Sequence, residues 1–205
     1  MIISYKHKFI FIKTRKTAGS TIELILRKQL GPDDIATKLG DEKCPCVNCN
    51  ETLFSHTGHR YIAENWPNEW KNYYKFAVDR NPWDKIVSAF FYWDTLYSDT
   101  PGVSTDQGFK KFAATPARTF PNDWNMYSDS NKLVVDQLLQ YENLHKEFPE
   151  VCKMLGVPYN NELDYIKAKA GFKNFDGYQH LFNDDARCRV EKQCKPLIDH
   201  FNYKF

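Results

Sequence analysis

Two segments of this chain share one design, in which an apolar run leads into a short basic turn and then into an amphipathic helix. The first reads FIFIKTRKTAGST over residues 9–21, and the second reads YKFAVDRNPWDKIVS over residues 74–88. A short continuous apolar run is typical of a strand buried on both faces of a parallel sheet. Because strand–turn–helix units build α/β folds, the pair predicts a parallel sheet with helices on both of its faces.

The first turn concentrates positive charge and hydroxyl groups at the start of a helix. Ser20 and Glu23 have the spacing of a capping box, so we expect the helix to begin near Gly19. The first N–H groups of a helix have no partner within it, and together with nearby cations they suit a phosphate or sulfate group. An ordinary connection with solvated cations is the alternative, and the Walker A pattern is absent. The cations are Lys13, Arg15 and Lys16.

The second turn repeats this logic with different residues. Asn81 is a favourable N-cap, and Ser88 lies two turns further along the predicted helix. Arg80 stands at the start of that helix, where the helix dipole favours negative groups. A bound anion would resolve this conflict. The alternative is that Arg80 pairs with Asp79 or Asp84 and binds nothing.

On these residues the chain resembles the PAPS-dependent sulfotransferase family, in particular the Golgi-type carbohydrate sulfotransferases and their small soluble relatives. Residues 13–21 resemble the family's 5′-phosphosulfate loop, K-T-A-G-S/T-S/T, and residues 80–88 resemble its 3′-phosphate motif, R-N-P-x-D-R-x-x-S. Two positions depart from the pattern: Lys85 replaces an arginine, and Arg15 stands where many relatives have proline. Residues 141–157 and 198–205 resemble later segments of the family, so the resemblance spans nearly the whole chain.

The resemblance implies an α/β fold of the P-loop-NTPase-like, three-layer type, with a central parallel sheet flanked by helices. It implies PAPS as the donor, PAP as the product and in-line transfer of a sulfuryl group to an acceptor hydroxyl. A carbohydrate hydroxyl is favoured, and tyrosyl, lipid and small-molecule hydroxyls stay open. Lys16 is expected to be catalytic, beside the bridging oxygen, and no catalytic metal is expected. The residues expected to bind the donor are Lys13, Arg15, Lys16, Thr17, Ala18, Gly19, Ser20, Thr21, Arg80 and Ser88.

A histidine is the expected general base, since its ordinary pKa lies near neutral pH. Residues 52–55 have the composition of a second strand, and two histidines follow it. Relatives read H-x-x-x-R-x-I here. Matching Arg60 and Ile62 to that pattern selects His56 as the base, with His59 as the runner-up. A loop histidine bonded to the backbone, or a core histidine, is the alternative.

Length and charge limit the remaining possibilities. We expect one domain over residues 1–205, with loop insertions near 33–51 and 98–131 that favour acceptor recognition. With 28 basic and 26 acidic residues, nothing indicates nucleic-acid binding, and the oligomeric state is not indicated at all. The sequence has neither a signal-peptide pattern nor an apolar stretch that could span a membrane. We therefore expect a cytoplasmic protein, or a sequence without the anchor of the Golgi relatives. Possible acceptor contacts in the second insertion are Asp123, Trp124, Tyr127 and Asp129.

Three cysteines close together, Cys44, Cys46 and Cys49, allow more than one state. With His56 they have enough ligands for a structural zinc ion, although the spacing is not that of a standard zinc finger. Free thiols are the favoured state, and disulfides are disfavoured in a cytosolic chain. Disulfide partners would be Cys152, Cys188 or Cys194.

Two other functions remain possible from the sequence. The first is a nucleotide-dependent, P-loop-like kinase, which the missing Walker A lysine position disfavours. The second is a non-catalytic nucleotide-binding protein of the same fold. Lys16 and a histidine at the base position argue against that second alternative.

Overall fold

The computed structural model describes residues 1–37, 49–50, 54–97, 106–114, 121–166 and 177–205. The chain divides into two compact units, Met1–Asp79 with Asn125–Ala168, and Arg80–Trp124 with Lys169–Phe205. The strands are β1 (Ile2–Ser4), β2 (Phe9–Ile12), β3 (Ile35–Thr37), β4 (Cys49–Asn50), β5 (Tyr74–Asp79), β6 (Ser128–Asp129), β7 (Lys132–Leu133) and β8 (Gln137–Gln140). The helices are α1 (Gly19–Arg27), α2 (His59–Asn65), α3 (Pro67–Asn72), α4 (Pro82–Tyr97), α5 (Asp106–Ala114), α6 (Trp124–Tyr127), α7 (Leu144–Met154), α8 (Asp184–Gln193) and α9 (Lys195–Phe201).

The first unit contains a six-stranded sheet in the order β4-β3-β1-β2-β5-β8. The pairs β2–β5, β5–β8 and β3–β4 are parallel, which confirms the mostly parallel sheet. β1 was not predicted and runs antiparallel to both of its neighbours, because three residues carry too little pattern to identify a strand. Phe11 pairs with Phe76 in the parallel register, so β2 and β5 end at the same edge of the sheet.

Both faces of the sheet are buried, which explains the continuous apolar runs. Phe11 and Phe76 point to one face, where their rings stack with centroids 5.1 Å apart. The alternating residues Ile10, Ile12 and Ala77 are fully buried as well. The first face packs against helices α1 and α7, whose contributions to this core are Ile22, Ile25, Leu26, Leu144, Phe148 and Val151.

The second unit is helical and consists mainly of α4, α5, α8 and α9. Phe90 of α4 packs edge-on against Phe109 of α5, with ring centroids 5.4 Å apart. The residues from Asp184 onward form two helices, α8 and α9, with a break at Cys194. Pro196 lies in the first turn of α9, where it lacks the N–H that a continuous helix would need.

The two predicted insertions contain regular structure. Residues 33–51 include β3 and β4 of the sheet, and residues 98–131 include α5, α6 and β6. Among the described residues, none of the helices is long and apolar enough to cross a membrane.

Candidate active site

The turn between β2 and α1 has a backbone shape that suits an anion. Lys16 and Ala18 both have left-handed backbones, with φ of 61° and 57°. Arg15, which precedes them, and Thr17, which lies between them, do not. For residues other than glycine this conformation costs about 1–2 kcal/mol each. Alternating signs of φ turn successive N–H groups toward one side, as in an anion-binding nest. The strain at two residues therefore points to a ligand site.

Two threonines hold this turn in place from inside the protein. The Thr14 hydroxyl donates to the Val78 carbonyl of β5, and it lies 2.8 Å from the Thr17 hydroxyl. Both threonine side chains are buried. Thr17 was predicted to bind the donor, but its hydroxyl serves the turn itself.

Helix α1 begins at Gly19, as predicted, but the capping box does not form. The N-cap position is Ala18, whose side chain makes no capping hydrogen bond to the first turn of the helix. Glu23 is fully buried and instead accepts from Lys13 Nζ at 2.6 Å and from Arg27 Nη2 at 3.2 Å. Burial would raise the pKa of Glu23, but the surrounding cations, Lys13 and Arg27 among them, hold it below its ordinary value.

Gly19 is needed for packing within the turn. A Cβ on Gly19 would lie 2.8 Å from Lys13 Cγ and 3.2 Å from the Thr14 carbonyl oxygen, both too close. The Lys13 side chain crosses this glycine on its way to Glu23. Lys13, another predicted donor contact, therefore directs its ammonium group to a buried carboxylate of the protein.

His56 lies beside the same turn. Its Nδ1 is 3.0 Å from the Lys13 carbonyl oxygen, and its side chain is exposed. Because a carbonyl oxygen only accepts hydrogen bonds, Nδ1 carries the proton and Nε2 carries the lone pair. This is the tautomer that a base acting through Nε2 requires.

His59, the runner-up, has a different environment. It is buried with 6% of its surface exposed, and its ring centre lies 6.1 Å from that of Trp70. Its Nδ1 has no hydrogen-bond partner in the described part of the chain. The strand predicted over residues 52–55 is wrong at Phe54, which has no regular secondary structure, and at Ser55, which lies in a turn. Residues 52 and 53 fall outside the described residues. The structure thus brings His56 and not His59 to the basic turn.

In the turn between β5 and α4, the side chain of Asn81 caps the start of the helix. Asn81 Oδ1 accepts from the backbone N–H groups of Trp83 at 3.1 Å and Asp84 at 3.4 Å, which confirms the predicted N-cap. Arg80 Nε donates to Asp84 Oδ2 at 2.8 Å. The ion pair between Arg80 and Asp84, considered above as the alternative, therefore exists. Ser88 is half-buried and follows Asp84 by one helical turn.

Lys85 stands where relatives carry arginine, and its charge is used internally. Its Nζ lies 2.8 Å from Asp123 Oδ2, and both side chains are buried. Among the predicted acceptor contacts, Asp123 is therefore structural. Trp124 is buried, and Tyr127 is buried with its hydroxyl donating to Asp79. Asp129 alone of the four is exposed.

Comparison with known proteins identifies the family. The sequence matches the profile of the sulfotransferase family over residues 1–200. The chain belongs to the sulfotransferase family. An uncharacterized protein of Archaeoglobus fulgidus is 33% identical over 95 residues, which are 45% of this chain and 73% of that relative.

A solved sulfotransferase has the same fold. The crystal structure of mouse sulfotransferase SULT7A1 complexed with PAP aligns with a TM-score of 0.51 and 14% identity. The alignment covers 93% of this chain and 84% of that chain. At this identity the match shows a shared fold, and it confirms the P-loop-like α/β fold expected of a sulfotransferase.

One residue of this sulfotransferase-family chain was missed by sequence reasoning. Asn81 Nδ2 donates to the Tyr178 hydroxyl at 3.0 Å. The two residues are 97 positions apart, and no local pattern around Tyr178 indicates the contact.

The cysteine cluster falls largely outside the described part of the chain. Cys44 and Cys46 lie outside the described residues, and Cys49 is described only as a backbone position of β4. Cys152, Cys188 and Cys194 are free thiols, and burial raises the pKa of Cys152 to about 12. In the ranges that the structure describes, no group of three metal-ligating side chains occurs.

Proposed function

We propose that this sulfotransferase-family protein transfers a sulfuryl group from PAPS to an acceptor hydroxyl, with carbohydrate as the favoured acceptor class. The observation that carries the proposal is the contact between His56 Nδ1 and the Lys13 carbonyl oxygen. It holds a histidine, in the tautomer a base needs, against a turn shaped for an anion.

The turn between β2 and α1 would hold the 5′-phosphosulfate of the donor. The alternating backbone at residues 15–18 and the uncapped start of α1 supply N–H donors for its oxygens. Gly19, Ser20 and Thr21 would donate from this helix start. Lys16 would lie beside the bridging oxygen, with Arg15 adding positive charge, whereas Lys13 would act through its backbone because its ammonium group is paired with Glu23.

The turn between β5 and α4 would hold the 3′-phosphate through side chains. Arg80 and Asp84 lie one helical turn apart, and Ser88 lies one turn beyond Asp84. The ion pair holds the Arg80 guanidinium beside Asp84 in the first turn of α4. Arg80 and Ser88 are thus the donors that we assign to the 3′-phosphate.

The reaction would be an in-line displacement at sulfur. The acceptor oxygen forms a bond to sulfur while the bond from sulfur to the bridging oxygen breaks, and the electron pair of that bond leaves on the 5′-phosphate of PAP. His56 Nε2 takes the acceptor proton. Lys16 stabilises the charge that develops on the bridging oxygen. Lys16, Arg80 and the helix starts supply the positive field, so we propose no catalytic metal.

The test is a transfer assay with labelled PAPS and three acceptor classes: oligosaccharides, a tyrosyl peptide and a simple phenol. We expect transfer to an oligosaccharide, unaffected by a chelator. His56→Asn keeps a donor for the Lys13 carbonyl but has no base at the Nε2 position, so it should lose transfer and keep PAP binding. His180→Asn, an exposed histidine in the other unit, is the matched control.

Several outcomes would overturn parts of this proposal. No transfer to any acceptor by a protein that binds PAP would favour the non-catalytic alternative. Transfer of phosphate from Mg-ATP would favour the kinase. Loss of transfer in His59→Asn, with full transfer in His56→Asn, would move the base to His59.

A further inference from the structure

Tyr178 is attached to the start of α4 by a hydrogen bond whose direction is fixed. Asn81 uses Oδ1 to cap the N–H groups of Trp83 and Asp84, so its Nδ2 must face away from the helix. That Nδ2 donates to the Tyr178 hydroxyl at 3.0 Å. An amide NH₂ group only donates, so the phenol oxygen is the acceptor here and its own proton is directed elsewhere.

Aromatic neighbours hold the Tyr178 ring in position. It packs edge-on against Phe205, with centroids 5.8 Å apart, and against Phe182 at 6.2 Å. Phe205 in turn contacts Trp83 of α4 at 5.4 Å. The ring is half-buried. Its packing and the hydrogen bond from Asn81 together hold the hydroxyl at the start of α4, next in sequence to Arg80.

The charges around this turn explain why a neutral donor is useful there. Arg80 is paired with Asp84, and Lys85 is paired with Asp123. The two cations of the motif are therefore already balanced by carboxylates. A phosphate dianion at this turn needs further hydrogen-bond donors, and a hydroxyl provides one without another charge.

We propose that Tyr178 is a binding residue for the 3′-phosphate, to which its hydroxyl donates a hydrogen bond. This inference rests on the proposed function, because it names a further residue for the donor that the function requires. It assigns the segment that precedes α8 a part in distinguishing a 3′-phosphorylated nucleotide from one with a free 3′-hydroxyl.

The test measures the dissociation constants of PAP and of adenosine 5′-monophosphate by calorimetry. Tyr178→Phe removes the hydroxyl and keeps the ring. We expect it to weaken PAP binding roughly tenfold to a hundredfold and to change monophosphate binding by less than about twofold. Tyr165→Phe makes the same chemical change at an exposed tyrosine of the other unit and should leave both constants unchanged.

A second variant tests the part played by Asn81. Asn81→Ser keeps a capping oxygen for α4 but removes the Nδ2 donor that holds Tyr178. We expect it to weaken PAP binding too. In the double variant, the fold-increase of the dissociation constant for PAP should be smaller than the product of the two single fold-increases. Full additivity would contradict the shared contact.

The outcomes separate this inference from the proposed function. If the wild-type protein binds the two nucleotides equally, the PAPS donor fails and this inference fails with it. If the wild type prefers PAP and Tyr178→Phe keeps that preference, only this inference fails. Equal weakening of both nucleotides in Tyr178→Phe would show a purely structural role and would also overturn it.

Discussion

The helix after β2 has Ala18 at its N-cap, and this side chain makes no capping hydrogen bond. The helix after β5 has Asn81 at its N-cap, and this side chain accepts hydrogen bonds from two of the first N–H groups. The first turn therefore offers backbone donors, at the cost of left-handed backbones at Lys16 and Ala18. In the second turn two of the first N–H groups of the helix are already bonded to Asn81, so the proposed phosphate would be held there by side chains. Two motifs that look alike in sequence thus offer an anion different kinds of donor.

The ion pairs of the two turns differ in how deeply they are buried. Glu23 and Lys13 are buried beneath the first turn, with side-chain exposures of 0% and 6%. Arg80 and Asp84 lie closer to solvent, with exposures of 11% and 16%. The first pair supports the turn from the protein interior, while the second is accessible enough for a ligand to contact its arginine.

Breaking the two pairs should produce the largest difference between the turns. Glu23→Gln leaves Lys13 and Arg27 buried without a carboxylate and should lower the free energy of unfolding by about 3–5 kcal/mol. Asp84→Asn should lower it by about 1–2 kcal/mol, because solvent can compensate Arg80 in part. Urea denaturation measures both. Equal losses would contradict the contrast, and Asp199→Asn, in an exposed pair, gives the baseline.

The Glu23 pair should also make stability depend on pH. The pKa of Glu23 in the folded protein lies below its ordinary value of 4.5. The ionised carboxylate therefore contributes stability above pH 4.5, and that contribution is lost as the pH falls through the folded-state pKa. The stability difference between wild type and Glu23→Gln should shrink as the pH is lowered from neutral to ~3. A difference that stays constant over this range would mean that the Glu23 charge is not the source.

Lys16→Ala tests whether the first turn does the chemistry. Losing one charge-assisted contact to the leaving oxygen should cost about 3–4 kcal/mol in the transition state, a decrease in kcat of more than a hundredfold. PAP affinity should change far less, since that charge develops mainly during the reaction. Lys8→Ala is the matched control, because Lys8 is an exposed lysine that also has a left-handed backbone, with φ of 55°. An unchanged kcat in Lys16→Ala would show that the lysine is misassigned.

The helix starts give the smallest expected effects, with opposite signs. Ala18→Gly relieves a left-handed backbone and should raise the free energy of unfolding by about 0.5–1 kcal/mol, after the flexibility that glycine adds to the unfolded chain is subtracted. Asn81→Ala removes a cap and should lower it by about 1 kcal/mol. Thermal denaturation of the two variants checks the signs. A destabilised Ala18→Gly protein would argue against strain in the first turn.

The elements that position the site were largely predictable. β2, α1, β5 and α4 follow from apolar runs and helical periodicity, and Asn81 follows from its place before Pro82. Each of these signals is local in sequence. The match to the sulfotransferase family over residues 1–200 confirms the family that the two motifs indicated.

The errors come from contacts between residues far apart in the chain. Glu23 has the spacing of a capping box, but a buried lysine ten positions earlier is a stronger partner for its carboxylate than a helix N–H. Tyr127 and Asp123 were predicted as acceptor contacts in a loop insertion, yet each forms a hydrogen bond with a residue more than thirty positions away. Sequence spacing shows which partners are possible, and only the fold decides which partner is near.

The most direct test of the account is calorimetric binding of PAP and of adenosine 5′-monophosphate to the wild type and to Arg80→Ala. If the first turn holds the 5′ end and the second holds the 3′-phosphate, the wild type binds PAP more tightly by roughly tenfold or more. Arg80→Ala should lose most of this preference and keep its affinity for the monophosphate. Equal affinities for the two nucleotides in the wild type would contradict the account.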